Sequence, residues 1–231
     1  MPRLTNEEAD RVFESNLRRQ EAILERQLNA NFNQLSRDIQ SAMESYDIVG
    51  AESVVELNDI VLQQILLEAY ERGNSRGARM AASDLEEDES LVEEAVLLAL
   101  LLWRPDTANK VAKEINRTTR KVFDKVLART RDDLTMRDAA GQIATTESQR
   151  GTQEGANQAG IEVQQKVQKT WRSQGDRRVR KTHRKADGQS VDMGEMFIVG
   201  RGRGRYPTDS RLPKEESINC RCYMRFKKVK P

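Results

Sequence analysis

INCRCYMRFKK, residues 218–228, decides how the last third of the chain folds. Cys220, Cys222, Met224 and Phe226 alternate with Arg221, Tyr223, Arg225 and Lys227. A period of two over seven residues predicts a half-buried strand. Both cysteines then share a face with Met224 and Phe226, and the Arg and Lys residues take the opposite one. Val167, Lys169 and Trp171 alternate in the same way and predict a second strand. Six of the thirteen glycines follow Trp171, which marks this region as turn-rich and sheet-containing.

Upstream the period changes. Pro105 is the one proline between Arg3 and Tyr206, a distribution that suits long helices. Thr5 with Asn6, Glu7 and Glu8 reads as a helix start. Leu17, Leu24, Leu28, Phe32, Leu35, Ile39 and Met43 form one apolar stripe at helical spacing, which needs a partner. A second stripe is predicted through Val54, Leu57, Val61 and Ile65, with Leu66 and Leu67 beside it, and GNSRG at 73–77 loosens or ends that helix. A third helix covers about residues 89–103 and reads as the most deeply buried of the body. Pro105 separates it from a fourth at about 106–134, carrying Val111, Ile115, Val122, Phe123, Val126 and Leu127. A weaker fifth covers 136–160. The fold class is therefore α+β: a long-helix-rich body over 1–160, then a small basic domain over 161–231 with a short antiparallel sheet.

The 231 residues carry 39 Lys and Arg against 37 Asp and Glu, a net charge of +2. Divided at Trp171, the same chain reads −8 before it and +10 from it onward. Such asymmetry suggests two regions with different partners, the basic one attracting phosphates, although a solvated basic surface gives the same composition. The N-terminus lacks the apolar core of an export signal. The longest apolar run, residues 95–103, is about half of what a membrane span needs. Two cysteines separated by one residue give no long-loop staple, so disulfide stabilisation is excluded and a reducing compartment suits the chain.

Three clusters hold the chemistry of the basic region: WRSQGDRRVRKTHRKADG at 171–188, RGRGR at 201–205 and INCRC at 218–222. His183, Cys220 and Cys222, with Asp187 as a fourth, make a ligand set of zinc type for a structural ion. The same cysteines also read as small buried hydrophobes of a core strand. His183 is the sole histidine, and a zinc- or cysteine-dependent hydrolase, nuclease or toxin would have to be built on it with Asp187, Cys220 and Cys222. No orienting third group stands at a recognisable spacing, and a structural histidine is the plainer reading. Arg201, Arg203 and Arg205, separated by glycines, read as a flexible loop reaching DNA phosphates or as a solvated hairpin tip, with Lys227 and Lys228 as further DNA candidates.

Taken in order, Trp171, Asp176, Arg180, His183, Asp187, Gly188, Phe197, Pro207, Asn219, Cys220, Arg221 and Cys222 resemble the C-terminal domain of the phage minor head proteins, the head morphogenesis family that includes the F protein of phage Mu. ATTESQRGTQEG at 144–155 is similar to the family's helix, with Thr146 and Glu147 at its Thr-Glu pair. The resemblance covers residues 144–229, and the helical region before it matches in character only. It implies a structural virion protein without enzymatic activity, made in the host cytoplasm during assembly and held in the head interior or at the portal vertex. Implied partners are portal protein and major capsid or scaffold protein; a contact with packaged double-stranded DNA is expected from the basic charge alone, and no membrane partner is expected. Other members carry a fused toxin or transferase module. With the chain ending at Pro231, just after the motif, none is expected here.

Overall fold

A computed structural model describes residues 6–45, 48–102, 111–112, 117, 133–163 and 165–229. Helices α1 (Asn6–Glu44), α2 (Ile48–Leu85), α3 (Glu89–Leu102) and α4 (Asp133–Glu162) precede β1 (Val167–Arg172), α5 (Lys181–Ala186) and β2 (Ser190–Asp192). The hairpin β3 (Phe197–Val199) and β4 (Gly202–Gly204), then α6 (Lys214–Ser217) and β5 (Tyr223–Lys228), complete the chain. The class is α+β, as the sequence predicts. Most of the helix expected at 106–134, including Ile115, Val122, Phe123, Val126 and Leu127, lies outside the described residues.

Strand β1 is the centre of an antiparallel sheet ordered β2-β1-β5, with Trp171 opposite Met224 and Lys169 opposite Phe226. Strands β3 and β4 form a separate hairpin in which Ile198 faces Arg203. Among the described residues no helix is long and apolar enough to cross a membrane.

The chain divides into two compact units, one of residues 22–68 and 103–144, the other of 1–21, 69–102 and 145–231. The boundary expected at 160/161 falls inside the second.

In the unit of residues 22–68 and 103–144, α1 buries Leu24, Leu28, Phe32, Leu35 and Ile39, the last two against Val55. Leu17 is buried in the other unit, so the chain itself covers every described position of the stripe. The Met43 side chain lies outside the described residues. The second stripe differs from expectation. Helix α2 buries Val55, Asn58, Leu62 and Leu66, while Leu57, Ile60 and Val61 stand 62%, 65% and 48% exposed. The true stripe was masked by Asn58, whose polar side chain is buried because Asn31 Nδ2 donates to its Oδ1 at 2.8 Å.

In the unit of residues 1–21, 69–102 and 145–231, α2 runs unbroken through GNSRG. Gly73 and Gly77 do not end the helix; they are where α4 crosses it at backbone distance. A Cβ on Gly77 would lie 1.8 Å from Thr152 O, and one on Gly155 would lie 2.2 Å from Asn74 O. Helix α3, expected as the most deeply buried of the body, buries Leu91, Val92 and Ala95 but leaves Leu97 60% exposed.

One core joins the helices to the sheets, with Ala78, Ala81, Leu85, Ala156 and Ala159 meeting Trp171, Phe197, Cys220, Cys222 and Met224. The expected basic face of β5 is only partly free: Tyr223 is buried on Phe13 and Arg225 pairs with Asp84 at 2.8 Å, while Lys227 is exposed. Lys228, on the cysteine side by parity, pairs with Glu87 at 2.6 Å. Part of the charge split along the sequence is thus internal complementarity between helices and sheet.

Candidate functional site: a buried His-Cys-Cys centre clamped by helix α4

Helix α4 lacks an apolar stripe because its inward face is polar. Thr146, Glu147, Ser148, Gln149, Thr152, Gln153 and Asn157 are all buried. Each buried amide or hydroxyl needs a partner, and the backbone entering β5 supplies several. Asn219 N donates to Thr146 Oγ1 at 3.0 Å, Gln149 Nε2 donates to Cys222 O, and Met224 N donates to Gln153 Oε1 at 3.0 Å. The i, i+4 spacing of Gln149 and Gln153 sets two amides over backbone groups two residues apart, so α4 covers the edge of the Cys222–Met224 segment.

That clamp sets the cysteines. Asn219 adopts the left-handed conformation, φ 55°, and turns the chain out of α6 so that Cys220 and Cys222 both point inward. Arg180 donates to Ile218 O at 2.5 Å, and Arg221 grips Asp176 through Nη2 at 2.7 and 2.8 Å. This hydrogen bond holds the Asp176 carboxyl below the usual carboxylate range.

His183, on α5, meets the cysteines from the other side. Its Nδ1 lies 3.3 Å from Cys222 Sγ and 3.6 Å from Cys220 Sγ, and its Nε2 lies 3.0 Å from Glu216 Oε2. Thr182 Oγ1 donates to the same Glu216 oxygen at 2.8 Å. A carboxylate only accepts, so the proton sits on Nε2 and Nδ1 faces the sulfurs. Burial raises the Cys220 thiol, but the hydrogen bond from Cys222 opposes it, and the thiol lies below its ordinary value. The hydrogen bond to Cys220 and then burial push Cys222 up, so the two sulfurs share one proton. Trp171 closes the pocket edge-on to His183, and its buried indole N–H meets no hydrogen-bond partner among the described residues.

Asp187 is not with them. It is exposed and accepts from Ser173 N at 2.7 Å, and Gly188 beside it takes φ 78°, so this pair builds the turn after α5. The metal-ligating groups gathered among the described residues are His183, Cys220 and Cys222, their ligand atoms all within 4.8 Å of one another. Sequence reasoning missed Glu216, the orienting group for His183. A glutamate in a four-residue helix carries no spacing signal, and only the packing of α6 on α5 brings it to the ring.

Arg201, Arg203 and Arg205 are exposed, and none of the three guanidiniums makes an ion pair or hydrogen bond among the described residues. Of the two readings, flexible loop or hairpin tip, the structure shows the hairpin. Gly202 and Gly204 are buried because a Cβ would lie 2.4 Å from Pro213 Cδ and 2.8 Å from Leu212 Cγ, so glycine packs inward and arginine points out. Lys227 is exposed on β5, in the other sheet, and Lys228 is held by Glu87.

The fold and site define a helix-clamped antiparallel-sheet module whose ordered motif residues hold one buried centre. The family described as Phage Mu protein F like protein matches residues 102–225, and the chain belongs to that head morphogenesis family. It is also similar to a protein named NAD(+)--arginine ADP-ribosyltransferase EFV from Enterococcus faecalis (strain ATCC 700802 / V583), 30% identical over 115 residues. The match covers 49% of this chain and 21% of that protein. No solved structure matches the chain.

Proposed function

We propose that this chain is a structural component of a tailed-phage head that docks on portal or capsid protein and touches packaged double-stranded DNA. Family membership supports the virion role. The observation that carries the DNA contact is the row Arg201, Arg203 and Arg205: three exposed guanidiniums on a glycine-packed hairpin, without acidic partners among the described residues. A row carried on a hairpin suits phosphate better than a mobile tail, because the backbone that spaces the three side chains needs no ordering on binding. Docking passes from the α1 stripe, which the chain buries, to Leu57, Ile60 and Val61 on α2.

Two variants separate these contacts. Replacing Arg201, Arg203 and Arg205 with alanine is expected to reduce the slope of log affinity for duplex DNA against log salt by about 3, at about 0.9 per phosphate contact. An unchanged slope removes the hairpin from the DNA role. Leu57→Glu with Val61→Glu is expected to abolish incorporation into purified heads without lowering the melting temperature, and normal incorporation refutes the docking face.

The Cys-His-Glu order of Cys222, His183 and Glu216 has the outline of a nucleophile, a base and its orienter. Against hydrolysis, both sulfurs are buried and compete for one ring nitrogen. The transferase activity in the name of the Enterococcus faecalis protein is not carried over, because the chain spans only 21% of that protein.

A further inference from the structure

His183 and the cysteine pair come from segments about 40 residues apart and meet at one buried point, with α4, α6 and Trp171 spent on holding them there. We propose that His183 Nδ1, Cys220 Sγ and Cys222 Sγ bind one Zn2+ ion, with solvent as the fourth ligand and Glu216 as the positioning residue for the imidazole.

Distance decides first. With Zn–S at about 2.3 Å and Zn–N at about 2.0–2.1 Å, a tetrahedral site places nitrogen and sulfur about 3.5 Å apart. The observed separations are 3.3 and 3.6 Å, so an ion fits between the three atoms with little side-chain movement.

The imidazole is also presented in the form a metal requires. Glu216 and Thr182 hold the proton on Nε2, which is how metal-bound histidines are commonly fixed from behind. Room for that carboxylate is reserved by Gly200, where a Cβ would lie 2.2 Å from Glu216 Oε1 and where φ is 59°. The buried indole N–H of Trp171, without a hydrogen-bond partner among the described residues, is a donor available to the centre.

The competing uses of the cysteines fit less well. A disulfide across one intervening residue is strained. Two inert core thiols would need neither a hydrogen-bonded histidine nor a buried glutamate behind it, since each buried polar group is costly without a purpose for it.

The fourth position follows from the surroundings. No other His, Cys, Asp or Glu joins the three among the described residues. A polar cavity borders His183 and Cys222 and is lined by Gln174, Arg180, Asn219 and Arg221, which gives solvent a path to the ion. The ion would tie α5 to the α6–β5 connection, beside the contacts of Arg180 with Ile218 O and of His183 with Glu216. This centre is independent of which head protein or nucleic acid the chain meets.

The full-length chain, purified without chelator after growth with added zinc, is expected to hold about one zinc per chain by elemental analysis. Reconstituted with Co2+ alone, it is expected to show thiolate-to-cobalt charge-transfer absorption, which Cys222→Ser weakens. Glu216→Gln is expected to keep its far-ultraviolet circular dichroism while zinc affinity falls about 10–100-fold. If Cys222→Ser fails to fold, the wild-type cobalt spectrum and the Glu216→Gln affinity still decide. Absence of both bound zinc and the charge-transfer band overturns the proposal, as does a Cys220–Cys222 disulfide found by mass in freshly purified protein.

Discussion

The close crossing of α2 and α4 makes the sharpest stability prediction, because four glycines in two Gly-x3-Gly pairs allow it. Gly77→Ala puts a methyl group 1.8 Å from Thr152 O and 2.7 Å from Ala156 N. Both are backbone atoms inside a helix, so no rotamer change relieves the clash and the helices must separate. Overpacking of this kind costs about 1–3 kcal/mol, or more where nothing can yield. Alanine's better helix propensity returns about 1 kcal/mol. Separation also draws α4 away from the Cys222 and Met224 backbone it clamps, which places the net loss at about 2 kcal/mol or more. At about 2–4 °C per kcal/mol for a chain of this size, the melting temperature should fall by about 4–8 °C. The other glycines grade the effect: a Cβ would meet backbone at 2.2 Å on Gly155, 3.0 Å on Gly73 and 3.3 Å on Gly151, so the losses should shrink in that order. Gly141→Ala is the control. Its Cβ would sit 3.5 Å from Glu25 Oε1, an ordinary contact, and should stabilise by about 0.5–1 kcal/mol. Thermal melts of the five variants by circular dichroism test the series. A Gly77→Ala protein that melts at or above the wild-type temperature refutes the backbone crossing.

Lys169 is fully buried on β1, its ammonium 3.2 Å from Asn157 Oδ1 and 5.5 Å from the centre of the Phe197 ring, and burial followed by the nearby Arg205 charge lowers it from 10.5 to about 8. A depressed lysine gives stability that is full above pH 10.5 and lost as pH falls through 8, so urea melts should show wild type gaining up to about 3 kcal/mol between those values. Lys169→Met should remove that gain and be more stable than wild type at pH 7; an unchanged pH profile counts against the buried ammonium. Gln153→Leu leaves Met224 N without its acceptor at the edge of β5 and should cost about 1–3 kcal/mol in urea unfolding, with faster amide exchange at Met224 as the local sign. Exchange at Met224 as slow as in wild type would show that α4 does not cover this edge.

Where periodicity was strict, the elements were legible. Leu17, Leu24, Leu28, Phe32, Leu35 and Ile39 mark α1 at helical spacing, and all are buried. Cys220, Cys222, Met224 and Phe226 mark one buried face at a spacing of two. Where a buried residue is polar the pattern misled, as at Asn58, whose pairing with Asn31 shifts the buried stripe of α2 and exposes Leu57 and Val61. Helix α4 looked weak for the same reason: it packs through hydrogen bonds to backbone, which a hydropathy pattern does not register. Gly73 and Gly77 read locally as helix breakers, because the partner backbone that requires them lies about 80 residues away.

What the amino-acid sequence determined by itself is the class and the ordered motif: long amphipathic helices before a small sheet, and His183 with Cys220 and Cys222 as the chemistry worth testing. Local sterics and side-chain period set these, and both act over a few neighbouring residues. What only the tertiary structure decided is which groups meet. Glu216 stands behind His183, Asp187 turns away to cap a loop, Arg225 and Lys228 are neutralised by Asp84 and Glu87, and Arg201, Arg203 and Arg205 are left exposed. Electrostatic pairing and close backbone approach depend on distance in space, and that distance is fixed only when helices and sheet pack together.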